Sequence, residues 1–437
     1  MTKATNPKPE SKFAWLYDLL LIGILLMGAY FRFTGSNWGS FDNQHPDENF
    51  ITSVTLAIQP VHSLADYFNT ATSSLNPAAV GYPAYVYGTL PLFIVRYLAQ
   101  WSGAMNHVTL FGRQMSAVAD LGTIVLLYFI VKRFYRRGVA LLAATFSALA
   151  VMQIQQSHFY TTDNFVTFFM FLTLYVAAVI ATEEWKEPVG KPELKSEQSS
   201  LGQKVYQYFY QVVSNPLLWW SILFGLALGM AAASKLNAAA MAVTLPIALA
   251  VRYFKLQQGK PAEPVGPGNE QGTPAVIDDF LAKTVPLLIV GAVVSLVSFR
   301  IFQPYAFSGP GFFGIKIDPN WLSKIREQLL MASPNADLVW ALQWAKRTHL
   351  FSFQNLTIWG LGLPLGILVW FGFLWMGWRM IKGEWLKHIL LWSWTAIYFT
   401  WQSLQYNPTM RYQLPVYPLL AMMAAWVVFD WIAPRYE

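Results

Sequence analysis

The feature that most limits what this chain can fold into is the recurrence of long apolar runs carrying almost no charge. A helix rises about 1.5 Å per residue, so a run of about 20 residues matches the roughly 30 Å hydrocarbon layer of a bilayer. Backbone N–H and C=O groups have no partner in lipid, so runs of this length must close their hydrogen bonds internally as helices. Such runs fall near residues 14–33, 109–131, 139–156, 164–182, 217–233, 236–253, 282–301, 356–377, 386–402 and 412–432, about ten spans in all. The expectation is an all-α polytopic membrane protein. Composition agrees: of 437 residues 55% are hydrophobic and 12% charged, and the mean hydropathy is +0.36, outside the range of soluble domains. Trp15, Trp219, Trp220, Trp359, Trp385 and Trp401 stand near run ends, where aromatic rings favour the headgroup zone. The net charge of +7 comes from Lys and Arg in short loops, so it calls for no nucleic-acid partner. Without cysteine there is no disulfide framework or thiolate metal site. The first run lacks a small-residue cleavage site and is expected to remain as a helix. No internal repeat is visible, and residues 1–437 read as one domain. The hydrophilic connectors 183–204 and 257–274 read as solvated loops.

Basic residues then orient the stack. Lys3, Lys8 and Lys12, the cluster Lys132-Arg133-Phe134-Tyr135-Arg136-Arg137, the pair Arg252 and Lys255, and Arg379, Lys382 and Lys387 belong on the cytoplasmic side. They share one side only if residues 82–101 do not cross. Pro83, Gly88 and Pro91 interrupt that stretch and Arg96 is poorly placed for lipid, so an interfacial or re-entrant arrangement is expected. The N-terminus is then cytoplasmic, and the polar loops 35–108, 157–163 and 303–355 share the outer face with Ser234, Lys235 and residues 403–411.

Those loops hold the residues able to carry chemistry. The first is Phe41-Asp42-Asn43-Gln44-His45-Pro46-Asp47-Glu48, opening a helix. Adjacent Asp47 and Glu48 cannot share one helical face. One could deprotonate a hydroxyl while the other orients the loop or a sugar hydroxyl, or both could simply favour the helix dipole. The second is Gln155-Gln156-Ser157-His158-Phe159-Tyr160-Thr161-Thr162-Asp163-Asn164, a polar run ending in a lone acid at a helix start, where it could also serve as a cap. If Asp163 approaches Asp47, the pair could hold a divalent cation or cradle a substrate. His45, His62 and His158 permit metal binding but show no ligand spacing, so no cofactor is assigned. Third, Lys235, Arg411 and, more weakly, Arg113 are cations at the outer boundary, suited to a lipid phosphate or to snorkelling. Asp120, about two turns along the same helix from Arg113, suggests a structural ion pair. Lys316, Asp318, Lys324, Arg326, Glu327, Asp337, Lys346 and Arg347 read as a solvated cap.

In their order along the chain these features resemble the GT-C superfamily of membrane glycosyltransferases, in particular the family 39 branch of protein O-mannosyltransferases and the lipid A aminoarabinose transferase. The resemblance is carried by Asp47-Glu48, the interfacial stretch, Gly112-Arg113-Gln114-Met115-Ser116-Ala117, Asp163, Lys235, and Arg411-Tyr412-Gln413-Leu414-Pro415-Val416-Tyr417-Pro418. It is most specific in the first half, and is nearest to a bacterial subgroup with a His-Pro-Asp-Glu motif. It implies a prokaryotic-type plasma membrane and an inverting transfer from a polyprenyl-phosphate sugar to an acceptor. Asp47 would be the general base, supported by Glu48. Asp163 would bind the sugar or order the first loop, and Lys235, Arg411 and Arg113 would hold the phosphate. His45, His158, Tyr160 and Tyr412 would line the same site. The chain departs from the resemblance in showing no soluble C-terminal region and fewer spans than some relatives. Two other classes fit the hydropathy: a lipid or solute transporter, and a non-catalytic scaffold bound to another membrane complex.

Overall fold

The computed structural model describes residues 14–39, 44–183, 213–258, 273–334, 336 and 338–435. Lys3, Lys8, Lys12, Asp42, Asp337 and most of the two hydrophilic connectors lie outside the described residues. Among the described residues the structure is helical, with one isolated β-bridge between Phe307 and Ile317. Eight helices are long and apolar enough to cross a membrane, or nine if one bent pair is a single span. The difference from the ten expected lies in two places, and each has a physical cause.

The first is the stretch expected at 139–156. It forms α6 (Arg137–Ala148) and α7 (Val151–Ser157), bent by 57°. The bend leaves carbonyls at the end of α6 without helical partners, and Arg32, the last basic residue of α1 (Ala14–Phe33), supplies them. Its guanidinium donates to the oxygens of Ala148 at 2.9 Å and Ser147 at 3.4 Å and pairs with Asp120 at 2.6 Å. Gln153 of α7 completes the knot, donating to Asp120 at 3.0 Å and accepting from the Ser147 hydroxyl at 2.9 Å. Asp120 is thus in an ion pair, as the sequence suggested, but with Arg32 and not Arg113. The second place is the stretch expected to hold spans at 356–377 and 386–402, which appears as one helical run of 41 residues, Leu363–Ser403. Gly383 breaks it with φ +106°, a conformation glycine adopts without the Cβ clash. The chain doubles back there: Phe373 and Trp392 stack at 4.9 Å, and Trp370 lies 4.8 Å from Phe399. A straight helix would hold those pairs tens of ångströms apart, at about 1.5 Å per residue.

The first loop carries α2 (Pro46–Ala57), the short α3 (Leu64–Tyr67) and α4 (Thr89–Trp101). At 13 residues, α4 is too short to span, being only about 20 Å long. It packs with α2 into a second apolar core built on Ile51, Val54, Leu92 and Val95. Arg96 is buried in protein, not exposed to lipid, donating to the Ile58 carbonyl and the Gln59 and Gln100 amides at 2.7–2.8 Å. This loop lies against the start of α5 (Val108–Phe134), while the basic cluster begins at its far end. A 27-residue helix separates the two by about 40 Å. Three further spanning elements bring residues to the loop's end of the bundle: α8 (Asp163–Thr182), α9 (Leu217–Ser234), and a 3₁₀ segment, Met410–Val416, leading into the last long helix.

Candidate active site

Pro46 opens α2 and His45 caps it, its Nδ1 accepting from the Glu48 N–H at 3.4 Å. The acids follow at once, and the helix turns them apart. Glu48 points inward and is fully buried. Both its oxygens pair with Arg113 at 2.7 Å, and Oε1 also accepts the Tyr160 N–H at 2.7 Å. The remaining donors of Arg113 reach the carbonyls of Ser36 and Trp38 at 3.0 Å, and its guanidinium lies over the Trp38 ring. Glu48 and Arg113 are therefore spent on holding the first loop to α5. Neither is placed to meet a substrate or a phosphate.

Asp47 points the other way. Its Oδ2 lies 2.5 Å from Nη1 of Arg411, which is also 4.0 Å from Asp163. Asp163 opens α8 and pairs with Lys235 at 2.7 Å. Lys235 itself lies 4.2 Å from the centre of the Tyr412 ring. The two cations are delivered by irregular backbone. Lys235 is extended (φ −160°, ψ 125°) between α9 and the 3₁₀ run Leu236–Val243, and Arg411 lies in the first turn of the 3₁₀ segment Met410–Val416. Helices of this kind are seldom longer than a few residues, and they mark where spans give up regularity to aim side chains into a cavity. Exposure divides the roles: the side chains of Asp47, Arg411 and Lys235 are 23%, 21% and 23% accessible, Asp163 only 6%. A ligand can thus touch the first three, while Asp163 stands behind and positions the cations.

Tyr87 lies close to Asp47 and was not singled out in the sequence. Burial and the Asp47 charge push its hydroxyl upward, so it stays protonated beside the carboxylate. Its clue was Tyr85-Val86-Tyr87-Gly88 within the interrupted stretch. Gly88 has no room for a Cβ, which would lie 2.0 Å from the Ala233 carbonyl and 2.4 Å from Ser234, so this loop presses directly on the turn carrying Lys235. His45 is half-buried against Phe159, and burial, then Arg411, lowers its pKa. The other two candidates face elsewhere. His158 directs both ring nitrogens at carbonyls, of Ile154 at 2.8 Å and Thr34 at 2.9 Å, and Tyr160 turns its hydroxyl to Thr55 at 2.9 Å. Both shape the wall.

A divalent cation between Asp47 and Asp163 would have to displace Arg411 and Lys235, each bonded to one of the two acids, so the donor set does not fit a metal. Among the described residues no group of three or more His, Asp or Glu side chains is placed to bind one.

Residues 92–188, which include Arg113 and Asp163, match the family described as dolichyl-phosphate-mannose-protein mannosyltransferase. The whole fold is similar to the oligosaccharyltransferase of Archaeoglobus fulgidus in its apo form, with a TM-score of 0.56 at 15% identity over 98% of this chain and 52% of that one. The likeness is one of fold. AglB, the archaeal oligosaccharyltransferase from Archaeoglobus fulgidus, in complex with an inhibitory peptide and a dolichol-phosphate, matches this chain with a TM-score of 0.52 at 14% identity, over 98% of this chain and 52% of AglB. ArnT from Cupriavidus metallidurans, bound to undecaprenyl phosphate, gives 0.49 at 15% identity, over 97% of this chain and 62% of ArnT. The chain spans about half the length of the oligosaccharyltransferase it matches. No curated protein matches it by sequence.

Proposed function

We propose that the protein is an inverting glycosyltransferase that moves a sugar from a polyprenyl-phosphate lipid to an acceptor hydroxyl at the outer membrane face. The observation that carries this reading is the alternating cluster Asp47–Arg411–Asp163–Lys235, partly open and built where three spans break. The outward orientation rests on the basic residues at the far end of α5. The dolichol-phosphate held by a protein of similar fold and the family match of residues 92–188 support the donor class.

The acceptor oxygen attacks the anomeric carbon of the sugar while the bond from that carbon to the phosphate oxygen breaks. The hydroxyl proton passes to Asp47, and the bonding pair departs with the phosphate. As Asp47 loses its negative charge, the phosphate gains one, so the total charge in the pocket does not change. Arg411 is the hinge of this exchange. It is paired with Asp47 at 2.5 Å, so that carboxylate is engaged and not free to meet an acceptor hydroxyl. A donor phosphate competes for Arg411 and Lys235 and releases Asp47 to face the acceptor. The order donor first, acceptor second follows.

Binding of a polyprenyl phosphate to purified protein tests the reading. Arg411→Ala and Lys235→Ala should each weaken it about tenfold or more, as loss of a charge-assisted contact requires, whereas Asp47→Asn should bind at least as tightly as the native protein. Equal affinity in all four proteins would remove the cluster as a phosphate site.

A further inference from the structure

Beside the ion cluster lies a second cavity, a cleft of about 460 Å3 between the first loop and the chain that follows α11 (Thr273–Phe302). Its two sides are bolted together at the base. Thr89 gives both its N–H and its hydroxyl to the Gln303 amide oxygen at 2.6 and 2.8 Å, Thr70 donates to the Phe307 carbonyl at 2.6 Å, and Ser73 meets the Tyr305 hydroxyl at 2.7 Å. The cleft is therefore preformed, without a segment that must order on binding.

From this geometry we infer that the cleft binds a neutral sugar, and that this sugar is the acceptor; the second half rests on the glycosyltransferase reading above. Polar groups at its mouth are left unused. Among the described residues the side chains of Asn320 and Ser308 have no hydrogen-bond partner, and Asp318 caps α12 (Pro319–Met331) with one oxygen, at 2.8 Å from the Trp321 N–H, while its other oxygen has none. The Trp321 indole N–H is buried without an acceptor. Lys324, also on the wall, is held by Glu327 at 2.9 and 3.1 Å, so the groups left over are the Asn320 amide, the Ser308 hydroxyl and one Asp318 oxygen, beside the aromatic side chains of Trp321 and Tyr85, a combination that suits the hydroxyls and C–H faces of a pyranose. A peptide fits less well, since an extended chain needs an open backbone edge, and the Thr89 N–H and Phe307 C=O at the base are already taken.

The wall of the cleft also leads to the base. Tyr85 lines it, Tyr87 lies 5.7 Å from Tyr85 ring to ring and close to Asp47, Gly88 presses on the turn before Lys235, and Thr89 joins the bolt. One short segment thus runs from the proposed acceptor cleft past the general base to the turn that carries a phosphate-facing cation.

Saturation-transfer NMR on the full chain in lipid nanodiscs tests this, with a panel of neutral di- to tetrasaccharides and, for comparison, Ser/Thr-containing peptides. At least one saccharide should bind saturably, and Trp321→Ala and Asn320→Ala should each weaken it about tenfold, the loss of an aromatic platform or of well-placed hydrogen bonds. Asn320 is exposed in the first turn of α12, so its truncation leaves the fold intact. The inference is overturned if no saccharide binds, if both variants bind as the native protein does, or if only peptides bind and lose affinity in the variants. Polyprenyl-phosphate binding by the same samples separates the two readings, because it depends on Arg411 and Lys235 and should not change in either variant.

Discussion

At the scale of single residues, neighbours in sequence carry opposite assignments. Asp47 and Glu48 are adjacent acids, yet Glu48 is sealed between Arg113 and the Tyr160 amide while Asp47 is open and tied to Arg411. Removing one partner of a buried, hydrogen-bonded ion pair strands the other charge and costs about 3–5 kcal/mol. Arg113→Ala should therefore lower thermal stability in detergent by that order, with Glu48→Gln milder but in the same direction; a denaturation curve unchanged by Arg113→Ala would show the pair to be dispensable. His45 gives a pH dependence. Its folded pKa lies below the ordinary 6.5, so the unfolded chain binds the proton more readily, and stability falls as pH drops below about 6.5. His45→Asn, which keeps a capping side chain, should flatten the loss of stability between pH 7 and 5, measured by thermal unfolding. That the two acids serve different partners was legible in the sequence, but the partners themselves were not. Which of two adjacent carboxylates meets a distant Arg depends on how α2 is rotated against α5, and no local pattern encodes that. Arg113 was read as a phosphate ligand for the same reason: an Arg at a membrane boundary looks alike whether its partner is a lipid or a buried Glu.

At the scale of elements, the working side chains sit where regular helices fail. Lys235 stands in an extended joint, Arg411 in a 3₁₀ turn, and the 157–163 loop follows the α6–α7 bend fixed by Arg32 and Asp120. The apolar periodicity that located the spans is blind to such joints, because a bent or hairpinned pair keeps the hydropathy of a straight one. The bend at α6–α7 thus appeared only in three dimensions, whereas the reversal at Gly383 falls between the spans expected at 356–377 and 386–402. The close packing of Gly88 on Ala233 and Ser234 makes a sharp prediction. Gly88→Val should displace the Lys235 joint and reduce polyprenyl-phosphate binding about as much as Lys235→Ala itself, while thermal stability changes less than in Arg113→Ala. Binding equal to the native protein would mean that the joint yields without moving Lys235.

At the scale of the whole molecule, the fold places one polar, partly open cluster at one end of an apolar bundle and a band of Lys and Arg at the other. That polarity was readable from charge placement alone, since positive loops and polar loops alternate along the chain. The membrane class followed from the apolar runs, and the resemblance to GT-C transferases from the order of the motifs along the chain. The cleft did not, because Asn76, Gln303 and Asn320 are ordinary polar residues in the sequence until two distant stretches of chain are bolted together. The ion cluster and the cleft share the segment from Tyr85 to Thr89 and belong to one outward-facing reaction chamber in the reading proposed above.

The most direct measurement is the rate of sugar transfer from a polyprenyl-phosphate sugar to saccharide acceptors by native protein and Asp47→Asn in the same nanodiscs, with donor binding followed in parallel. Loss of a general base should slow transfer about a hundred- to ten-thousand-fold, while the donor still binds. Transfer at the native rate by Asp47→Asn, with donor bound, would contradict the assignment of Asp47 and of the cluster built around it.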